Sequence, residues 1–377
     1  MRSERGQHLG KNLLLCVTSL SVFLGGSELL ARVQYTPEKD DGGGIFVFDR
    51  EKGFQLNANH TDVFEGKTVT TNSSGQRSPE IPVKKPKNTK RILVLGDSIS
   101  FGHGMSDAEP YPRLLENTLN TSFKEQGSTT RVQVMNTAAP MNYPLQEYYD
   151  LERNLRFEPD VIILQLTLND VYDAPAINEI PKSQYIDYVL KEYSALYLFL
   201  KDVYGRVLFT DPTGENIAEK AKQLEIVSLE KLIYEPNDPD VIAAWDKTLH
   251  WVGKITESAH KRNIPIVILV TPFVFQLDAD ELLASPQQQF RVFAEERSVL
   301  VIDLLGVLKI LFADFVHPEL TREQLTSKII TDALRTHSEK KEMFWNALFM
   351  DYDHPTAYGH ELISGLLFPY MVDLLKN

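Results

Sequence analysis

The sequence predicts an α/β fold, a parallel sheet with helices packed on both faces. Three observations predict it. Residues 92–95 read Ile-Leu-Val-Leu, and a strand apolar at every position belongs in the middle of a parallel sheet. Four further apolar runs rich in β-branched residues follow at 132–135, 161–166, 264–271 and 299–302, each closed by a polar break. Helical patterns separate them: Leu115, Leu119 and Phe123 recur at i, i+4 and i+8, and 145–156 continues the theme. Strands and helices in alternation point to crossover connections and a parallel sheet.

The chain opens with a basic stretch, Arg2, Arg5 and Lys11 in residues 1–11. Residues 12–33 are then mostly apolar, broken by Gly25-Gly26-Ser27-Glu28 and by Arg32. A positive flank before an apolar run is an export signal with the amino terminus inside. An uncleaved anchor needs about 20 mostly apolar residues, a length reached here by tolerating Glu28 and Arg32 near one end. A cleaved signal peptide is the competing reading. Gly25-Gly26-Ser27 offers small residues, but no Ala-x-Ala site is present, which favours the anchor. Cys16 lies inside the run, so no lipoprotein cleavage is expected. The expectation is a membrane-anchored protein with its main domain on the periplasmic or extracellular side.

Residues 34–90 are polar and rich in turn formers, and read as a linker with short strands at 44–48 and 67–71. The main domain is expected over 91–377. Its rhythm breaks once, at 171–263, an insertion that looks largely helical. Trp245, Leu249, Val252 and Ile255 recur there at helical spacing, as scaffold would. The alternative role is a lid over a substrate pocket, to which Tyr185, Tyr188, Tyr193, Tyr197 and Phe199 would contribute.

Composition narrows the function. Of 377 residues 43% are hydrophobic, enough for a sizeable core. The net charge is -13, from 39 Lys and Arg against 52 Asp and Glu, which disfavours nucleic acid as a partner. A lone cysteine, Cys16, permits no internal disulfide and no cysteine metal cluster.

Three short segments carry chemistry. In Gly96-Asp97-Ser98, the serine falls just past a buried strand, where open α/β sheets place their ligands. A serine there is a nucleophile if a base reaches it, although Gly-Asp-Ser is also an ordinary turn. A helix is expected soon after, near Tyr111-Pro112. Leu168-Asn169-Asp170 closes another strand, and the Asn169 amide can donate to a developing oxyanion or simply cap the next segment. Asp351-Tyr-Asp353-His354-Pro355 opens the last helix. A carboxylate three residues before a histidine can hold its Nδ1 proton and leave the other nitrogen as base. The same segment also reads as a plain helix start, with Asp as cap and Pro355 in the first turn. Asp351, Asp353 and His354 could alternatively hold a metal, though no further ligand cluster supports one. His360 reads as a helix residue.

Together, Gly96-Asp97-Ser98-Ile99, Leu168-Asn169-Asp170 and Asp351-x-x-His354-Pro355 resemble the SGNH/GDSL hydrolase family over about 91–172 and 264–375. The order and spacing of three blocks is far more specific than any one of them. The apolar start followed by Asn72-Ser-Ser-Gly-Gln-Arg77 is similar to the layout of membrane-anchored bacterial members. The resemblance implies a flavodoxin-like three-layer sandwich with five parallel strands and a serine esterase mechanism without cofactor or metal. It implies Ser98 as nucleophile, His354 as base and Asp351 as its orienting partner, with Asp97 and Asp353 in support. Asn169 and the backbone N–H groups of Ser98 and Met141 would stabilise the oxyanion. The substrate would be a small-molecule or glycan ester, such as an O-acetyl group.

Two departures bear on this. Met141 and Thr167 stand where the family has glycine, and Met141 would need a positive φ and could crowd an acyl pocket. Ala138 or Asn142 are alternative oxyanion donors within Asn136-Thr-Ala138-Ala-Pro140-Met141-Asn142. Two other functions stay compatible with the same blocks: an acyltransferase to a polysaccharide hydroxyl, and a binding module that kept the fold without catalysis.

Overall fold

The computed structural model describes residues 2–34, 44–172, 190, 193–208, 229–277 and 284–376. The chain divides into two compact units, 1–40 with 179–223 and 41–178 with 224–377. The first half of the described chain runs α1 (Arg2–Gln34), β1 (Phe46–Asp49), β2 (Gly53–Leu56), β3 (Thr61–Phe64), β4 (Lys67–Thr70) and β5 (Thr89–Leu95). A single turn α2 (Ser98–Phe101) leads to α3 (Tyr111–Glu125), β6 (Arg131–Asn136), α4 (Pro144–Asn154), β7 (Val161–Leu166) and α5 (Asn169–Tyr172). After α6 (Ala195–Leu208) and α7 (Pro239–His260) come β8 (Ile266–Val270), α8 (Val274–Leu277), α9 (Ser285–Glu296) and β9 (Leu300–Asp303). The chain closes with α10 (Leu304–Val316), α11 (Ser327–Thr336), α12 (Ser338–Leu348) and α13 (Ala357–Lys376).

In the larger unit β5 to β9 form one parallel sheet in the order β6-β5-β7-β8-β9. The apolar runs read from the sequence are these five strands, with ends that differ by at most three residues and with 161–166 matching β7 at both ends. Because side chains alternate across a strand, each strand feeds both faces. Ile92, Val94, Val134, Ile163, Val267 and Leu269 point to the layer of α3, α10 and α13. Leu93, Leu95, Met135, Ile162, Leu164 and Ile268 point to α4, α7 and α9. The result is the expected three-layer sandwich. The chain leaves β5 first toward β6 and then returns to β7 on the other side. That reversal opens a crevice beyond the carboxyl ends of β5 and β7, the place where such sheets bind ligands.

Residues 44–90 are more structured than a linker. They form two antiparallel hairpins, β1–β2 and β3–β4, of which β2 and β3 were not foreseen. Four-residue strands are too short to show a period in sequence. Ile45, Leu56 and Val69 from these hairpins share an apolar cluster with Phe101 and Ala138. The Asn72–Arg77 segment is a tight turn in which Asn72 Oδ1 accepts the N–H groups of Ser74 and Gln76.

The expected insertion resolves into parts. α7 buries Trp245, Val252 and Ile255 against the sheet, as scaffold. Tyr185, Tyr188 and the turn at 211–214 lie outside the described residues, and Tyr193, Tyr197 and Phe199 belong to the smaller unit.

The smaller unit pairs α1 with α6. The stretch Leu14–Gln34 is long and apolar enough to cross a membrane, with a mean hydropathy of 1.7. Near its end the Glu28 carboxylate accepts Ser194 Oγ–H at 2.8 Å and the N–H groups of Ala195 and Leu196 at 2.9 and 3.0 Å. Arg32 donates to Glu28 and to the Tyr193 carbonyl. The free N–H groups that begin α6 thus find an acceptor on α1.

Ile163 is fully buried in the central strand β7. Ile163→Ala is expected to cost about 2–5 kcal/mol in urea unfolding, whereas Ile242→Ala on the exposed side of α7 stays within about 0.5 kcal/mol.

Candidate active site

The serine is delivered by the end of β5. Gly96 has to be glycine because a Cβ there would sit 2.6 Å from Gln165 Oε1 and from Ser100 Oγ. Asp97 caps the turn α2, its Oδ1 accepting Ile99 N–H at 2.8 Å. Ser98 is the first residue of that turn. Ser100, two residues further along the turn, is buried and bonded to Tyr111 Oη at 2.6 Å and Gln165 Oε1 at 3.0 Å. Sequence reading placed the first helix near Tyr111, where α3 does begin, and missed the short turn α2 before it.

The histidine arrives on a loop pinned at both ends. Phe349 and Pro355 form a bridge, and Met350 N–H donates to the His354 carbonyl at 2.8 Å. Within it Asp351 Oδ1 accepts the N–H groups of Asp353 and His354, at 3.1 and 2.9 Å. Its other oxygen, Oδ2, accepts His354 Nδ1–H at 2.8 Å. His354 Nε2 lies 2.9 Å from Ser98 Oγ. Residues 256 positions apart are therefore in hydrogen-bond contact. Asp353 Oδ1 is also near Nδ1, at 3.2 Å, but the well-aligned hydrogen bond goes to Asp351.

The charges around the imidazole decide its state. Burial opposes protonation of His354, but the Asp351 hydrogen bond and the charges of Asp353, Asp351 and Asp97 outweigh it and lift the ring to about 9. Asp351 is half-buried, which works against its charge, yet the His354 bond holds it well below the usual carboxylate range. Asp97 is pushed up to about 6 by burial, against its bond to Ile99 and the charge on His354. Asp351, Asp353 and His354 are close enough to share an ion. An ion there would displace the bond from Nδ1 to Asp351. His360 is buried in α13, accepts Tyr111 N–H through Nδ1, and is pushed down to about 3 by burial, so it stays a neutral packing residue.

Around the crevice the remaining residues fall as follows. Asn169 opens α5 directly beyond β7, half-buried. Met141 adopts φ 66°, the left-handed backbone that glycine favours, and its side chain is 69% exposed, so it does not fill an internal pocket. Thr167 is fully buried without a positive φ, so that position does not demand glycine. Ala138 and Asn142 are poor alternatives as donors. Ala138 N–H is taken by Asn136 Oδ1 and Asn142 N–H by the Ala139 carbonyl. Sequence reading also missed His103, whose ring stacks on His354, and the buried Glu147, raised well above the carboxylate range by burial first and by the charge of Asp170 second; Asp170 itself is raised well above it by burial and then by the charge of Asp97.

A serine hydroxyl, an imidazole and a carboxylate joined in one hydrogen-bonded chain form an arrangement able to perform acyl transfer. No family model and no curated protein matches the chain. Among solved structures it is similar to a member of the lipolytic G-D-S-L family from Veillonella parvula, 12% identical over 74% of this chain and 97% of that one, with a TM-score of 0.37. It is similar to a psychrotrophic esterase from Pseudoalteromonas sp., 11% identical over 76% and 100% of the two chains, TM-score 0.38. It is also similar to a catalytic mutant of an acetylxylan esterase from Geobacillus stearothermophilus, 14% identical over 74% and 92%, TM-score 0.39.

Reaction of Ser98 with a fluorophosphonate should rise with pH as His354 loses its proton, with a midpoint above the usual histidine range, near 9. Asp353→Asn removes one of the charges that lift the ring, so its midpoint moves to lower pH. A wild-type midpoint at or below the ordinary histidine value of about 6.5 contradicts these electrostatics.

Proposed function

We propose that this chain is an SGNH-type serine esterase that works through an acyl-enzyme, with Ser98 as nucleophile, His354 as general base and Asp351 as its orienting carboxylate. The observation that carries the reading is the unbroken chain from Ser98 Oγ to His354 Nε2, 2.9 Å, and from His354 Nδ1 to Asp351 Oδ2, 2.8 Å. In this reading neutral His354 takes the Ser98 proton as Oγ attacks the ester carbonyl. The tetrahedral oxyanion is met by Asn169 and the N–H groups of Ser98 and Met141. The alkoxide leaves with the proton returned by His354, and water, activated by the same imidazole, then releases the acid. Asp351 keeps the ring in the tautomer that leaves Nε2 free, and Asp97 and Asp353 contribute negative charge around it.

The left-handed backbone of Met141 supports this over a binding module without catalysis, since the backbone shape expected of a glycine is kept despite the side chain. The substrate we assign is a small-molecule or glycan ester, an O-acetylated glycan among them. We further assign α1 as a retained membrane anchor, with Arg2, Arg5 and Lys11 on the cytoplasmic side and the larger unit exported. The length and apolar character of Leu14–Gln34 and the lack of an Ala-x-Ala site support retention.

With a nitrophenyl acetate, Ser98→Ala should abolish turnover and Asp351→Asn should lower kcat by about 10²–10⁴, while Asp353→Asn loses less. Turnover by Ser98→Ala at the wild-type rate overturns the reading. The mass of the membrane-extracted protein should include the whole of α1, and a mature chain that begins anywhere after Leu14, at Glu28 included, contradicts the anchor.

A further inference from the structure

The two hydrogen bonds of His354 leave one freedom unconstrained. They leave the ring at its two nitrogens, so together they define an axis through it. Tilting of the ring about that axis is limited by its covalent tether at Cγ and by what lies against its faces. One face is covered by His103, whose centroid is 4.2 Å away at an interplanar angle of 19°. The His103 ring is in turn met edge-on by Phe64 of β3, at 5.6 Å and 89°.

His103 is held there by an unusual amount of structure. It lies between Gly102 and Gly104, both in the left-handed region at φ 89° and 67°. Its N–H donates to the Ser98 carbonyl at 3.0 Å, so the loop is tied to the nucleophile itself. Larger residues are excluded at both glycines. A Cβ on Gly102 would lie 2.4 Å from Pro110, and one on Gly104 would lie 2.8 Å from Met350 Cε.

Arg77 secures the same loop from the other side. This is the arginine of the Asn72–Arg77 turn. It is almost fully buried, and its guanidinium donates to the carbonyls of Phe101 and Gly102 at 2.8 Å each and of Met105 at 2.6 Å. Its Nε donates to Asp107, and its plane lies 4.7 Å over the Phe101 ring. Three carbonyls of one five-residue loop accept from one planar fork, which lysine could not reproduce.

We propose that His103, clamped by Arg77, is a positioning residue that fixes the plane of the His354 imidazole, so that Nε2 faces Ser98 while Nδ1 faces Asp351. The residues of the 44–90 extension thereby become part of the catalytic apparatus. The stacked ring acts as a neutral wall, and burial together with the neighbouring His354 keeps it so. The inference rests on the esterase reading for its kinetics but not for its geometry.

The test uses the full chain with wild type, His103→Ala, His103→Phe, Arg77→Lys and Ser98→Ala. Two readouts are taken: hydrolysis of a nitrophenyl acetate, and the low-field proton resonance of His354 Nδ1–H. His103→Ala should lower kcat on the order of 10- to 100-fold with KM little changed, as expected for a misplaced catalytic group. It should also broaden or abolish the resonance. His103→Phe, which restores a flat ring, should recover most of both. Arg77→Lys should shift both in the direction of His103→Ala. If wild type and Ser98→Ala hydrolyse alike, the esterase reading fails, and the resonance alone then decides the positioning role. If hydrolysis depends on Ser98 but His103→Ala keeps full kcat and a sharp resonance, the positioning role is overturned. A His103→Phe variant as impaired as His103→Ala overturns stacking as its basis.

Discussion

The site depends on one imidazole being held at both ends. His354 reaches Ser98 through Nε2 and Asp351 through Nδ1, and no single element of the fold could make that contact. Ser98 is fixed by the end of β5, an interior strand of the sheet, while His354 sits on the loop ahead of the final helix. The sandwich brings them together because α13 packs beside α3, and α3 follows directly from the loop after Ser98. The parallel sheet therefore serves chiefly as a frame that fixes a distance between two loops.

Electrostatics at this frame oppose one another: burial disfavours a charged His354, and the carboxylates around it outweigh burial. Asp97, Asp351 and Asp353 all surround the same ring, and burial strengthens their effect by excluding water. In the proposed mechanism a proton on His354 must leave before the ring can accept one from Ser98. A buried, acidic environment that stabilises imidazolium is also what the reaction needs once the serine proton has been taken. The same surroundings that delay the base at low pH stabilise it in the charged intermediate.

Much of this was legible in sequence. The five apolar runs, their polar ends and the helical spacing of Leu115, Leu119 and Phe123 gave the sandwich, because burial on two faces leaves a continuous apolar signature. The contact of Ser98, His354 and Asp351 was expected from residue types placed beyond a strand end and ahead of the last helix, and their roles, with that of Asn169, belong to the proposed function. The 44–90 region was legible only in part: β1 and β4 fall near the strands expected at 44–48 and 67–71, but β2, β3 and the hairpins they close were not foreseen. Its strands are four residues long, and its role lies in what Arg77 and Phe64 touch after folding. His103 was likewise hidden, since stacking on a residue 251 positions later has no local pattern. Met141 looked like a defect, yet its backbone takes the left-handed form and its side chain points outward. The commitment of the Ala138 and Asn142 N–H groups to other acceptors is a matter of turn geometry that spacing alone does not reveal.

The central claim is that His354, delivered from the far end of the chain, activates Ser98. The most direct measurement is the rate and site of fluorophosphonate attachment, by peptide mass, in wild type and in His354→Ala. The account predicts a single adduct on the peptide that holds Ser98, forming at least about 100-fold more slowly without the imidazole. An adduct elsewhere, or one on Ser98 that forms equally fast in His354→Ala, would contradict it.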